Sequence, residues 1–120
     1  MNPAASPVEE LSAPKLARRI EDGESLLLLD VREPSERAYC KIAVPATVKD
    51  LHLPIGSIAE QIETVKQAAA DMPIVVYCHH GVRSWAVANF LCQQGLSGIS
   101  NLEGGIDAWS TQVDRAVARY

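Results

Sequence analysis

The chain has 120 residues, 48% of them hydrophobic, with 15 acidic and 11 basic side chains, a formal net charge of −4 and a pI near 5.3. That length accommodates a single hydrophobic core, so one domain is expected, and a monomer is the base expectation for it. The acidic balance disfavours nucleic acid and membrane surfaces as partners, because both are held through clustered basic side chains.

The opening stretch MNPAASPVEELSAPK has neither the charged nor the apolar region of a secretory signal, and no apolar run reaches membrane-spanning length, which points to the cytoplasm. Residues 1–10 read as a flexible lead-in rich in small residues and proline, and residues 11–120 as the folded domain. A first helix follows: Ser12 is placed as its N-cap, Pro14 in its first turn, Leu16 and Ile20 on one face, and Gly23 as a left-handed stop. SLLLLDV and PIVVYC are near-continuous apolar runs, as strands show when both faces of a sheet are covered.

Between those runs, SIAEQIETVKQAA opens with Ser57 and Glu60 in capping-box register and carries Ile58, Ile62, Val65 and Ala69 on one stripe, which predicts an amphipathic helix and a β-α-β unit. SWAVANFLCQQG predicts a helix with Val87, Ala88 and Leu91 inward and a stop at Gly95; GISNL predicts a strand. Gly104 and Gly105 turn the chain into a last helix anchored by Trp109. Strands alternating with helices imply an α/β layer architecture around a mostly parallel sheet flanked by helices.

The stretch CHHGVRS places Cys78 where a buried strand gives out into a loop, the position at which ligand sites of open α/β sheets collect. A helix starting near Ser84 aims its free N–H groups at that loop, Gly81 lets the backbone curl into a nest, and Arg83 adds a positive charge. Each of these favours thiolate over thiol, and the thiolate is the nucleophile. A lone cysteine ending a strand is as often a small apolar filler, the reading that suits Cys92 within its helix and Cys40 near ERAYCK. The conjunction of strand end, glycine, arginine and helix start sets Cys78 apart.

His79 and His80 invite a metal reading, but adjacent side chains rarely converge on one ion and His52 is far away in sequence, so no metal is expected. Their expected part is to supply loop N–H groups and a pH-dependent positive field. Trp85 either shapes the mouth or, more commonly for an aromatic in a first helical turn, packs inward.

LLLLDVREPSE, IVVYCHHGVRS and NLEGGIDAW together resemble, in order, the blocks of the rhodanese-like single-domain sulfurtransferases, from about Leu26 to the end of the last helix. The tail VDRAVARY is similar to that of rhodanese domains feeding sulfur-carrier proteins. The resemblance implies a rhodanese-like three-layer fold. It also implies that Cys78 takes a sulfane sulfur from a donor such as thiosulfate and passes it, as a persulfide, to an acceptor such as cyanide or a thiol. The loop of His79, His80, Gly81, Val82, Arg83 and Ser84 would cradle the persulfide, while Asp30 and Arg32 would form a supporting ion pair. No cofactor is implied; a sulfur-carrier protein is a further possible partner.

Two alternatives stay open. Related phosphatases and arsenate reductases have a longer loop between cysteine and arginine, whereas here four residues intervene, a ring better sized for sulfur. A persulfide-relay or docking module within a larger complex is the other. The segment YCKIAVPATVKDLHLP departs from the resemblance, with Lys41 where histidine is expected and extra residues before Pro54, so the pocket edge is expected to be remodelled. The tail departs at Arg115 and Ala118, where proline is expected, which predicts a more helical terminus.

Overall fold

The computed structural model describes residues 7–120. Strands β1 (Glu9–Leu11), β2 (Leu26–Asp30), β3 (Val48–His52), β4 (Ile74–Tyr77) and β5 (Ile99–Leu102) form one sheet in the order β1-β5-β4-β2-β3, with every neighbouring pair parallel. The helices are α1 (Ala13–Glu21), α2 (Pro34–Tyr39), α3 (Ile62–Ala69), α4 (Val82–Gln93) and α5 (Gly105–Gln112). None is long and apolar enough to cross a membrane.

The continuous apolar runs follow from cover on both faces of the sheet. Leu27 and Leu29 of β2 join Ile74 and Val76 of β4 under α3 and α4, meeting Val65, Ala69, Val87 and Leu91. Leu26 and Leu28 face the other way with Val75 and Tyr77, against Leu16 of α1 and Ile106 and Trp109 of α5. The four leucines of β2 have no exposed surface, burial worth about 2 kcal/mol for each side chain. The sequence signals at α1 hold as well: Ser12 Oγ accepts the Lys15 N–H at 3.4 Å, and Gly23 has φ +76°.

Helix α2 was not among the expected elements, the tail after Gln112 forms no helix where a more helical terminus was expected, and three other elements need correction. Glu9 and Glu10, assigned above to the lead-in, pair with Ser100 and Asn101 as part of the edge strand β1; residues 1–6 of that lead-in lie outside the described residues. The divergent segment contains β3, paired along its length with β2. The chain therefore leaves β2 through α2, forms β3 at the edge, and returns through α3 to β4, so β2 and β4 are not joined by one β-α-β unit.

The third correction is the start of α3. Ile55–Ser57 form a 3-10 turn and the regular helix begins only at Ile62, with Gln61 before it and no capping box from Ser57. The cause is a pin to the sheet: the Ile55 N–H donates to Val31 O at 3.0 Å, and the Gln61 N–H is shared between Ser57 O and Ile58 O at 3.0 and 3.2 Å. The predicted stripe survives this kink, because Ile58 still reaches the core.

Candidate functional site

Cys78 continues the inward face of β4 set by Ile74 and Val76, and only 1% of it is exposed. Its sulfur is nevertheless not in purely apolar company. Sγ accepts the Gly81 N–H at 3.1 Å and the Ser84 N–H at 3.4 Å, and lies 3.2 Å from Ser84 Oγ. Both amides belong to the N-terminal turn of α4, whose unpaired N–H groups and positive dipole end favour a negatively charged sulfur.

Backbone geometry makes this possible at two glycines. Gly81 caps α4 with φ +102°, and its carbonyl is turned away to accept from Asn101 Nδ2 at 3.1 Å. Gly105, at φ +62°, brings the first turn of α5 against the loop, so that Ile106 N–H donates to Cys78 O at 2.9 Å and Asp107 N–H to His79 O at 3.1 Å. Loop carbonyls are thus held outward by α5 while amides face the sulfur. The role of Gly105 is closer than the turn residue read from sequence.

Ser84 Oγ donates to Asn101 Oδ1 at 2.5 Å, and Asn101 Nδ2 donates to the Glu10 carboxylate at 3.1 Å. With its proton on Asn101, the hydroxyl accepts from the Cys78 thiol; turned toward sulfur, it donates to the thiolate. Sequence reading missed Asn101, although a polar residue inside the apolar strand ISNL was a usable signal.

Asp30 and Arg32 form a fully buried ion pair: Arg32 Nε and Nη2 reach the two carboxylate oxygens at 2.9 and 2.8 Å, and the Arg32 N–H adds a bond of 3.0 Å. Burial opposes both charges, but these bonds leave Asp30 below and Arg32 above their ordinary pKa values. Arg32 also donates to Cys40 O at 2.7 Å and to Tyr120 Oη at 3.0 Å, and His52 Nε2 sits 2.8 Å from Arg32 O. The pair clasps the β2 loop to the α2 end and the C-terminal tail.

Arg83 differs from expectation. Its guanidinium is held by Glu36 of α2, at 2.7 and 2.9 Å, and does not donate to the sulfur. The pairing holds the Glu36 carboxyl down at about 2. Glu36 also accepts the Tyr120 O–H at 2.7 Å. Glu36 and Tyr120 were missed by sequence reasoning; Glu36 lies inside the quoted block REPSE, while nothing marked the tail tyrosine.

His79 also differs from expectation. The His79 ring is sandwiched between those of His80 and Tyr120, each at 3.8 Å, and burial together with neighbouring His80 pushes its pKa down, which disfavours the positive charge expected of it. Ligand atoms of His79, His80 and Asp107 lie within 4.8 Å of one another. The two rings are stacked face to face, and Asp107 is already paired with Arg119 at 2.9 Å, a poor fit to a cation centre.

Trp85 is not packed inward. It is half exposed and, with Val82, lines a groove of about 400 Å³ beside the loop, whose other walls include Glu10, Glu103 and His80. Cys40 and Cys92 are half-buried free thiols packed against the core, and burial raises the Cys92 pKa.

The profile of the family described as "Rhodanese-like domain" matches residues 12–112. A protein named Sulfurtransferase from Allochromatium vinosum is 35% identical over 103 residues, covering 86% of this chain and 89% of that one. Thiosulfate sulfurtransferase GlpE from Pseudomonas syringae is 36% identical over 88 residues, 73% of this chain and 76% of that one. Among solved structures, a rhodanese-related protein from Thermoplasma volcanium superposes with a TM-score of 0.72 at 31% identity, covering 88% of this chain and 93% of that one.

Proposed function

The chain belongs to the rhodanese-like domain family, and from that membership we propose that it is a sulfurtransferase working through a persulfide on Cys78. The observation that carries the reading is the setting of Cys78 Sγ, at the end of a buried parallel strand with two amides of the α4 N-terminus and the Ser84 hydroxyl turned on it. Such donors are fixed before any charge develops, which is the arrangement that stabilises an anionic sulfur without reorganisation.

In the first half-reaction the Cys78 thiolate attacks the outer sulfur of a donor such as thiosulfate. The donor S–S bond breaks, sulfite leaves with the bonding pair, and Cys78 carries a persulfide anion. In the second, an acceptor such as cyanide or a thiolate attacks the outer persulfide sulfur, and the Cys78 thiolate is released. His79, His80, Gly81, Val82, Arg83 and Ser84 form the wall of that site. Gly81 and Ser84 supply amides, Ser84 supplies a hydroxyl that can turn toward the sulfur, and Arg83 braces the loop through Glu36. Asp30 and Arg32 support it from below. The relative named for thiosulfate supports that donor. Phosphate chemistry loses support, since Arg83 faces Glu36 and not the loop centre.

Turnover of thiosulfate and cyanide, followed as thiocyanate, tests the reading. Activity is expected in the intact protein and in Cys40→Ala and Cys92→Ala, and is expected to vanish in folded Cys78→Ala. Persistent activity in Cys78→Ala would overturn it.

A further inference from the structure

Arg83 is the only arginine or lysine of the segment from Cys78 to Ser84, and its charge is not free. Its two terminal nitrogens meet both oxygens of Glu36 at 2.7 and 2.9 Å, the fork-to-fork geometry that is the strongest form of an ion pair. Glu36 is fixed from two further sides, by the Tyr120 O–H at 2.7 Å and the Glu33 N–H at 3.1 Å, and Tyr120 is itself anchored by Arg32. The neighbouring arginines among the described residues are also committed to carboxylates: Arg32 to Asp30, Arg37 to Asp50, Arg119 to Asp107. A small anion approaching Cys78 therefore meets guanidinium groups that already have carboxylate partners.

From this arrangement the geometry points to Glu36 as a specificity-determining residue: by neutralising Arg83, it weights the site against dianionic sulfur donors and toward donors that bring one negative charge or none. The inference rests on the sulfur-transfer reading above and refines its donor class. A donor with two charges loses twice the attraction that a donor with one charge loses when a guanidinium is cancelled. The cost to thiosulfate is built into α2, on a side chain that has no contact with Cys78.

Thiosulfate, a dianion, and methanethiosulfonate, a monoanion, form a matched pair of probes. Each offers a terminal sulfur to the Cys78 thiolate; the S–S bond breaks, sulfite or methanesulfinate leaves with the bonding pair, and the same persulfide results. The ratio of kcat/KM for thiosulfate over methanethiosulfonate is expected to rise about fivefold in Glu36→Gln, the scale of one unit of charge at a partly exposed ion pair. The replacing amide still accepts a hydrogen bond, so the fold should persist. Arg83→Gln, which removes the cation and leaves the Glu36 carboxylate in place, is expected to move the ratio the opposite way.

An unchanged or falling ratio in Glu36→Gln, or an unchanged or rising ratio in Arg83→Gln, overturns the inference. A measurement without variants stands beside it. Inorganic sulfate, a dianion with no sulfur to transfer, should compete weakly with methanethiosulfonate in the wild-type protein, and strong competition contradicts the inference. Failure of both donors to add sulfur to Cys78 would instead overturn the transfer reading, and the inference with it.

Discussion

Replacing Gly105 with alanine tests how the α5 start holds the cysteine loop. A Cβ built there lies 2.5 Å from Cys78 O and closer still to His79 O, both backbone atoms that cannot swing aside. Alanine at φ +62° costs about 1–2 kcal/mol for the left-handed conformation, and relieving the overlap costs about 1–3 kcal/mol more. The two hydrogen bonds from Ile106 and Asp107 are worth about 1 kcal/mol each if they are lost. The expected destabilisation is therefore about 2–5 kcal/mol, or about 4–7 kcal/mol if both bonds are lost, a large share of the ~5–15 kcal/mol stability of an ordinary domain. Gly95→Ala is the control, because Gly95 has φ +91° but nothing within 4 Å of its Cβ position, so only about 1–2 kcal/mol is expected. Urea unfolding followed by circular dichroism gives both values. If the two variants differ by less than about 1 kcal/mol, the close approach of α5 to the loop is not what the argument claims.

Two further perturbations read the charged clasp. Asp30→Asn leaves Arg32 buried without its counter-charge and should cost about 3–5 kcal/mol by urea unfolding, whereas a loss under 1 kcal/mol would mean that the pair is not holding the β2 loop. The carboxyls of Asp30 and Glu36 both lie below their ordinary values, so the stability they contribute is complete above pH ~4.5 and is lost as pH falls through their folded values, down to about 2 for Glu36. Stability measured from pH 5 to pH 2 should fall with acid, less steeply in Glu36→Gln; an equal slope in both proteins contradicts the assignment.

Much of the fold was legible because burial on both sheet faces leaves a plain mark: SLLLLDV, PIVVYC and GISNL could be placed from hydrophobicity alone. The edge elements carry no such mark. EEL and VKDLH are short and mixed in polarity because one side of each edge strand meets solvent, and PSERAY buries no side chain at all. At the site, the sulfur's amide partners followed from the order of strand end, glycine and helix start, which are local along the chain. What stayed hidden was long-range. Arg83 meets Glu36 across 47 residues, and Tyr120 reaches Arg32 across 88, so neither pairing leaves a local pattern to read. The charge expected on the loop was thus correctly located in sequence and wrongly taken as available.

The central claim is that one thiol of three carries the transferred sulfur. Intact-protein mass spectrometry after brief exposure to thiosulfate, followed by peptide mapping under non-reducing conditions, measures this directly. The account predicts a gain of one sulfur atom located on Cys78 and removed by cyanide. A folded protein whose Cys78 stays unmodified, or whose added sulfur maps to Cys40 or Cys92, would contradict it.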